Sequence, residues 1–425
     1  CAIRGTAAGG GYELALAADT IVMADDGNSS VSLPEVPLLA VLPGTGGLTR
    51  LTDKRKVRRD LADAFSTTEE GVKGARAVKW RLVDRVAVPT KFEETIKAEA
   101  RTLAAASDRP SGAKGIALTP LTRTVVDGGL AYSSLKVGID RPARQATLTI
   151  SGPSAAPPAD IDAMTAQGAA FWPLRLAREL DDAILHLRFN EPEIGTLVFK
   201  SQGDGALALA YDAFLEANGG YWLAREIVTF WKRVLKRIDL TSRSLVALVE
   251  PGTCFAGTLA EIVFACDRSF MPNGTLSGDN RAAAALVLHA VNFDAYPMSN
   301  GLSRLATRFL GEPDSLQAAR IQVGQPLAAE TCEDMGLVTH VLDPVDWDDD
   351  VRIFLEERRS FSPDGLTGLE ANLRFAGPET METKIFGRLT AWQNWIFQRP
   401  NAAGADGALK RYGSGVKAAF DRRRV

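Results

Sequence analysis

The sequence predicts an α/β protein with two tandem domains of the same fold, the first of them incomplete at its N-terminus. Segments typical of strands alternate with segments typical of helices, which indicates parallel strands joined by crossover helices. Two glycine-rich turns each precede a helix, and the chain resembles itself at a spacing of about 250 residues. A chain of 425 residues is long enough for two or three domains, each with its own core.

The first glycine turn, at residues 9–11, is followed by a helix-forming run at residues 12–18. Glycine lets a ligand approach the backbone closely, and the first N–H groups of a helix are unpaired. The turn therefore predicts a helix opened by Gly10 and Gly11, whose N–H groups can hold an oxyanion. Glu13 lies one turn further on, close enough to serve the same ligand as base or acid. Taken alone, the glycine run is as consistent with an ordinary turn.

Two further elements follow the first turn in order. Glu35, directly after a proline, supplies a second carboxylate, and residues 42–51 contain a second glycine turn before another helix. By itself Glu35 is equally consistent with an acid at a helix start, which is common after proline. Together, the GGGxEL turn, the PE pair and the PGxGGxxRL turn resemble the crotonase (enoyl-CoA hydratase/isomerase) superfamily. The resemblance implies that each domain is a spiral of ββα units.

The same resemblance implies an enzyme that acts on an acyl-CoA thioester and requires no cofactor of its own. In the pattern of the family, the Gly10 N–H is one of two donors that stabilise an enolate oxygen, and Glu13 and Glu35 share the proton transfers. The other donor is expected ahead of Cys1. The family also suggests a homo-oligomer, and we expect a dimer.

Several segments are similar to a ring-opening member of the superfamily, namely residues 54–60, 251–261, 295–305 and 386–401. This similarity implies a bacterial enzyme of aerobic, CoA-dependent benzoate degradation. Its reaction adds water to 2,3-epoxybenzoyl-CoA, opens the ring and gives 3,4-dehydroadipyl-CoA semialdehyde and formate. Two alternatives remain open: an ordinary enoyl-CoA hydratase or isomerase, and a non-catalytic acyl-CoA-binding protein.

The internal repeat places a second copy of the fold in the C-terminal part of the chain. Glu261 falls opposite Glu13, but Thr258 and Leu259 replace two glycines and should crowd the pocket that glycine leaves open. We therefore expect chemistry in the first copy only. The matching segments are 17–19 with 265–267, 42–51 with 296–305, and 81–86 with 336–341.

The repeat and a break at residues 108–112 divide the chain. Residues 1–112 are interpreted as the C-terminal part of the catalytic domain, 113–142 as a connecting segment with a helix over 121–132, and 143–425 as the degraded second domain with C-terminal helices. By comparison with the second copy, about a hundred residues of the first domain are expected ahead of Cys1.

Residue patterns predict the remaining elements. Strands are expected at 20–23, 145–150, 195–200 and 244–249, and helices at 92–106, 172–187 and 221–238. The aromatic tail at 385–397 favours a helix that packs in a core or an interface over one that contacts substrate. The basic cluster at 54–59 is either a solvated helix face or, through Lys54, Arg55 and Lys56, a clamp for the phosphates of coenzyme A.

Composition excludes several classes of protein. The net charge of −3 comes from interspersed charges of both signs, so we expect no nucleic-acid partner. No apolar run is long enough for a membrane span, so no membrane partner is expected. The four cysteines and three histidines are scattered, which argues against a metal site and favours a reducing cytoplasm.

Overall fold

The computed structural model describes residues 1–109, 112 and 114–424, and in this part of the chain two compact units are present. Unit one is Cys1–Ala113 and unit two is Lys114–Val425. The division lies beside the break predicted at residues 108–112, of which Pro110 and Ser111 lie outside the described residues. Each unit has its own hydrophobic core.

Unit one is built from short parallel strands and helices. Its strands are β1 (Ala2–Ile3), β2 (Thr6–Ala8), β3 (Val22–Ala24), β4 (Ser30–Ser32) and β5 (Arg85–Ala87). Its helices are α1 (Gly10–Ala17), α2 (Glu35–Leu39), α3 (Gly47–Thr49), α4 (Arg59–Ser66), α5 (Gly74–Lys79) and α6 (Phe92–Ala105). The strand order is β1-β3-β5 in one sheet and β2-β4 in another, with parallel pairing in both.

Helix α1 is fixed at its buried side by Tyr12, which is fully enclosed. The Tyr12 hydroxyl donates a hydrogen bond of 2.7 Å to the Leu82 carbonyl, and its ring meets Phe65 edge-on at 5.6 Å. Buried aromatic pairs of this geometry contribute roughly 0.5–1.5 kcal/mol beyond their buried area. These contacts hold the N-terminal end of α1 in one orientation.

Unit two contains the larger sheet. Its strands are β6 (Thr124–Val126), β7 (Gly129–Ala131), β8 (Leu135–Asp140), β9 (Gln145–Ser151), β10 (Thr196–Gln202), β11 (Ser244–Leu248), β12 (Arg268–Pro272), β13 (Leu286–Val287), β14 (Pro326–Leu327) and β15 (His340–Leu342). The sheet order is β15-β12-β11-β10-β9-β8-β7-β6, parallel from β9 to β15 and antiparallel from β6 to β9. Strands β13 and β14 pair separately.

Helices cover this sheet and extend beyond it towards the C-terminus. They are α7 (Ile161–Gln167), α8 (Trp172–Asn190), α9 (Gly205–Ala217), α10 (Trp222–Asp239), α11 (Ala260–Ala265), α12 (Val291–Asp294), α13 (Arg304–Arg308), α14 (Pro313–Ile321), α15 (Ala329–Asp334), α16 (Trp347–Ser360), α17 (Pro363–Leu373), α18 (Met381–Lys384), α19 (Thr390–Phe397), α20 (Pro400–Ala403) and α21 (Ala408–Arg411). No helix in the described part of the chain has the length and apolar character needed to cross a membrane.

Most predicted elements are confirmed, but the helix predicted over 121–132 is wrong. Strands β6 and β7 form an antiparallel hairpin there, closed by Asp127 and Gly128, with φ of +70° at Gly128. Asp-Gly is a common pair in hairpin turns, and here glycine occupies the turn position that has φ above zero. The segment 113–142, predicted to connect two domains, therefore contributes β6, β7 and β8 to the sheet of unit two.

The aromatic tail is helical, as predicted, and one side of it packs. Gly368 on α17 leaves the space that α19 occupies, since a Cβ there would lie 2.8 Å from Ile396 and 3.7 Å from Trp392. The other side is exposed, including Phe386, whose exposed fraction is 73%, and Leu389.

Candidate active site

The start of α1 has the open backbone that the sequence predicts. Gly9 has φ of +54°, a conformation that residues other than glycine rarely adopt, and its N–H donates to the Ser32 carbonyl at 3.0 Å. The Gly9 carbonyl accepts from the N–H groups of Tyr12 and Glu13, both at 2.9 Å. The N–H groups of Gly10 and Gly11 make no hydrogen bond to another described residue, as expected at a helix start.

The side-chain positions of these two glycines are open. A Cβ atom built on Gly10 or on Gly11 would meet no atom within 4 Å. Unpaired N–H groups at a helix start can hold an oxyanion, and a thioester oxygen needs such donors. The predicted helix start is thus confirmed, while the role of Gly10 as an oxyanion donor stays a prediction.

Glu13 links the two glycine turns. Its side chain is buried, with Oε1 accepting the Gly47 N–H at 2.7 Å and Oε2 accepting the hydroxyl of Thr45. Gly47 is the first residue of α3, and a Cβ there would lie 2.9 Å from Glu13 Oε1. The second glycine turn therefore exists in this form because the Glu13 carboxylate lies against its backbone.

Glu35 lies on the other side of Gly9. It is the first residue of α2, and its Oε1 is 3.0 Å from the position that a Cβ on Gly9 would take. Its Oε2 is buried and has no hydrogen-bond partner among the described residues. A buried carboxylate oxygen without a partner is costly, so this atom is a candidate for contact with a bound water or ligand.

The two carboxylates have different neighbours: that of Glu13 lies against the second glycine turn at Thr45 and Gly47, and that of Glu35 lies beside Gly9. The two carboxylates also differ in their hydrogen bonds. Both oxygens of Glu13 accept one, whereas Oε2 of Glu35 has no partner among the described residues.

Exposed apolar side chains follow Glu35 along the chain, and another lies next to Glu13 on α1; the sequence analysis did not single them out. The exposed side chains are those of Leu14, Val36, Leu38, Leu39, Val41 and Leu42. Leu14, on α1 next to Glu13, has an exposed fraction of 76%. A cluster of exposed apolar residues beside a few polar groups is typical of a binding surface for an apolar ligand. The signal in the sequence was the apolar run after Pro34-Glu35.

The predicted phosphate clamp is not present as free cations. Lys54 Nζ donates to the carbonyls of Leu16 and Ala18, both at 2.8 Å, and so satisfies the C-terminal end of α1. Arg55 forms an ion pair of 2.8 Å with Asp84. Both side chains therefore have a structural role in this chain, and a contact of Lys54 or Arg55 with the phosphates of coenzyme A stays a prediction.

Lys56 is the remaining member of the predicted clamp. It is exposed and has φ of +56°. A contact between Lys56 and a phosphate stays a prediction.

In unit two the glutamate that matches Glu13 is buried in an ion-paired cluster. Glu261 Oε2 accepts from Arg304 at 2.8 Å, its Oε1 accepts from Asn292 at 2.8 Å, and Arg304 also binds Asp239 at 2.7 Å. Burial raises the pKa of Glu261, and the positive charge of Arg304 opposes this shift. Glu261 has no exposed surface, which agrees with the expectation that chemistry belongs to the first copy.

Comparison with known proteins defines the class of the chain. The enoyl-CoA hydratase/isomerase family model matches residues 1–119. An enoyl-CoA hydratase from Geobacillus kaustophilus HTA426 aligns over 71% of this chain and 100% of its own, with a TM-score of 0.51 and 16% sequence identity. A likeness at that identity shows the fold, so the protein is one with the crotonase fold.

Two relatives among the curated proteins refine this class. Benzoyl-CoA-dihydrodiol lyase of Aromatoleum evansii is 54% identical over 424 residues, which is 100% of this chain and 76% of that protein. Carnitinyl-CoA dehydratase of Salmonella arizonae is 33% identical over 126 residues, covering 30% of this chain and 45% of that protein. The chain therefore belongs to the enoyl-CoA hydratase/isomerase family, in the group that includes benzoyl-CoA-dihydrodiol lyase.

Proposed function

We propose that the chain is a carbon–carbon lyase that opens the ring of 2,3-epoxybenzoyl-CoA with water, giving 3,4-dehydroadipyl-CoA semialdehyde and formate. The observation that supports it is the 54% identity to benzoyl-CoA-dihydrodiol lyase along the whole chain. The geometry supports it as well, since the helix start has unpaired N–H groups, the Glu35 carboxylate lies beside Gly9, and Glu13 is on the first turn of α1. The reaction consumes only water and a CoA thioester, so we propose no cofactor.

The backbone of α1 stabilises the charge that develops during the reaction. The ring is conjugated to the thioester carbonyl, so attack of water on the ring moves electrons onto the thioester oxygen. We propose the Gly10 N–H as the donor to that oxygen, because it has no hydrogen-bond partner among the described residues and no side chain stands on its α-carbon. A donor in such a position contributes about a hundredfold or more to the rate.

The two glutamates divide the proton transfers. One carboxylate takes a proton from the attacking water, and the other either returns a proton to the epoxide oxygen as its bond to carbon breaks or serves the second water. Two waters are consumed in all, because the carbon–carbon bond to the departing ring carbon must break for that carbon to leave as formate. The free Oε2 of Glu35 favours this residue for direct contact with water or the epoxide. Glu13 is held by Gly47 and Thr45, which fixes its carboxylate for transfer without side-chain rearrangement.

The exposed leucines and valines beside Glu35 provide the apolar part of the site. A ring that carries an epoxide and a thioester presents mostly carbon to its surroundings, and these side chains offer a matching surface. Leu14 and Leu39 are the members with the largest exposed fractions, 76% and 67%.

The proposal is tested by Glu13→Gln and Glu35→Gln in the intact enzyme. Glutamine keeps the size and an oxygen acceptor but cannot take up a proton, so formate release should fall by about a hundredfold or more in each variant. Binding of the CoA ester should persist, and Glu70→Gln, an exposed acid of the same unit, should match the wild type. Normal formate release by either active-site variant would remove that residue from the mechanism.

An ordinary hydratase is distinguished by its substrate. Rapid hydration of crotonyl-CoA, with no formate from the epoxide, would favour the plain enoyl-CoA hydratase. Binding of CoA esters without turnover of either compound would instead favour a non-catalytic acyl-CoA-binding protein.

We further propose that the protein forms a homodimer in the cytoplasm. The exposed side of the C-terminal tail is apolar over successive turns, through Met381, Phe386, Leu389 and Phe397. Exposed apolar patches of this kind commonly mark interfaces between protein chains. The buried thiols of Cys254, Cys266 and Cys332 are free, which supports a reducing compartment.

A further inference from the structure

The internal repeat pairs Arg55 of unit one with Arg308 of unit two. In unit one, Arg55 Nε donates a hydrogen bond of 2.7 Å to the Arg81 carbonyl. In unit two, Arg308 Nε donates to the carbonyl of Gly336, which is the repeat counterpart of Arg81. Unit one has one residue more before this arginine, because Arg50–Lys54 forms a π-helical turn. The two guanidinium groups are therefore anchored to matching carbonyls of the fold.

The acid that Arg55 binds in unit one is missing from unit two. Asp84 pairs with Arg55 at 2.8 Å, and the same Oδ2 atom accepts the Ile21 N–H at 2.7 Å. Thr339 takes the place of Asp84, since its Oγ1 accepts the N–H of Ser269, the counterpart of Ile21, at 3.0 Å. A hydroxyl carries no charge, so the exchange keeps the bond to the backbone and removes the counter-charge of the arginine.

Arg308 has no replacement for that acid among the described residues. It forms no ion pair with them, and within the described chain it donates through Nε alone. Burial lowers the pKa of Arg308, and the neighbour that opposes this shift is Cys266, a thiol whose own pKa burial raises well above its ordinary value. Because a guanidinium stays protonated in proteins, this part of unit two holds a half-buried positive charge without a fixed partner.

Arg308 lines a cavity that has an excess of positive charge. The volume of the cavity is about 330 Å³, whereas one water needs only roughly 10–15 Å³. Its walls contain three arginine–carboxylate pairs, namely Arg304 with Asp239, Arg374 with Asp267 and Arg358 with Glu370. Arg268 and Arg308 line the same cavity without a carboxylate partner in the described part of the chain. Even with Glu261, which also binds Arg304, positive charge remains in excess.

We propose that this cavity binds a small oxyanion, a phosphate or a carboxylate, and that Arg308 is its main ligand. A guanidinium presents parallel N–H groups that match two oxygens of either group. The Nη groups of Arg308 are available for such a contact because the chain uses its Nε. The inference concerns unit two and does not depend on the reaction proposed for unit one.

The thermal midpoint of the full chain measures binding, with phosphate or acetate compared against chloride at the same ionic strength. An anion that binds the folded protein raises the midpoint by mass action. We expect at least one of the two anions to do so at millimolar concentration, and the anion that acts identifies the class of ligand. Arg308→Met keeps an apolar stem but should weaken the apparent affinity at least about tenfold. Arg352→Met, which removes an exposed arginine of α16, is the control and should respond as the wild type does.

Thr339→Asp tests the inference without removing the arginine. The aspartate restores the acid that unit one has, so it should pair with Arg308 and abolish the response to the anion. Thr339→Asn has nearly the same shape as the aspartate variant without its charge, and it should keep the response.

Arg308→Met and Thr339→Asp change different positions, so failure of one to fold leaves the other as the test. The inference is overturned if the wild type responds to neither anion, if either folded variant responds as the wild type does, or if Thr339→Asn also loses the response. Formate release is not part of this measurement, so the proposed function and this inference fail independently.

Discussion

Glu13 and Glu261 occupy the same place in the two copies of the fold, yet their surroundings give them different uses. Glu13 faces a backbone N–H and a hydroxyl, and it forms no ion pair with the residues that the structure describes. Glu261 faces Arg304, which is itself held by Asp239. A buried carboxylate with a fixed counter-charge is poorly suited to exchanging protons with a ligand, so the neighbour decides the role of the residue.

The arginines at the matching repeat position should respond differently to substitution. Arg304→Leu leaves Glu261 and Asp239 buried without their counter-charge, so it should reduce the free energy of unfolding by about 3–5 kcal/mol. Arg50→Leu, its counterpart in unit one, removes a bond to the Thr45 carbonyl and should cost less than about 1.5 kcal/mol. Urea unfolding of both variants measures the difference, and equal losses would mean that the buried cluster is not a stabilising feature.

At the scale of elements, the second glycine turn supports the site through its backbone. Gly46 has φ of +107°, and Gly47 leaves the Glu13 carboxylate room to accept its N–H at 2.7 Å. The turn thus contributes the Gly47 N–H and the Thr45 hydroxyl as donors, together with the space for the carboxylate. Helix α1 acts in the same way through the N–H groups at its start.

Alanine substitutions at two glycines of this turn should therefore have very different effects on stability and activity. Gly47→Ala places a Cβ 2.9 Å from both Glu13 Oε1 and Pro43, so it should displace the carboxylate, cost about 1–3 kcal/mol and lower formate release. Gly44→Ala meets only an ordinary contact of 3.7 Å and should be close to the wild type. Thermal unfolding and formate assays of the pair measure this. A fully active Gly47→Ala protein would show that the position of Glu13 is not critical.

The hairpin of β6 and β7 shows why short strands are difficult to predict from sequence. Its strands are short, and the apolar residues around Val125 and Leu130 fit a helical period as well as an alternating one over so few positions. The Asp127-Gly128 pair was the decisive signal, and it indicates a hairpin turn.

At the scale of the whole molecule, one fold occurs in two units that have diverged in use. In unit one the N–H groups of Gly10 and Gly11 have no partner among the described residues, whereas in unit two the Thr258 N–H is bonded to Asp212 and Glu261 is paired with Arg304. A repeat of this kind lets one copy keep its stability while it loses the space for a ligand.

The exposed tail predicts how the molecule assembles. Phe386→Glu places a charge in the centre of the exposed apolar side of the tail, so a dimer formed there should dissociate. Tyr412→Glu, at a C-terminal position with an exposed fraction of 92%, is the control and should leave the dimer intact. Sedimentation velocity distinguishes the two states. A dimer that survives Phe386→Glu would place the interface elsewhere.

The sequence by itself determined the α/β class, the repeat, and the glycines and acids of the candidate site. These features are local: glycine at residues 9–11 permits a positive φ, and a helix start leaves its own N–H groups unpaired. Only the tertiary structure decided which side chains already form hydrogen bonds or ion pairs within the chain. In the folded chain, Lys54 donates hydrogen bonds to backbone carbonyls and Arg55 pairs with a carboxylate. Asp212 accepts a hydrogen bond from Thr258, which is 46 residues away in the sequence. Long-range pairing depends on how elements pack, which no local pattern encodes.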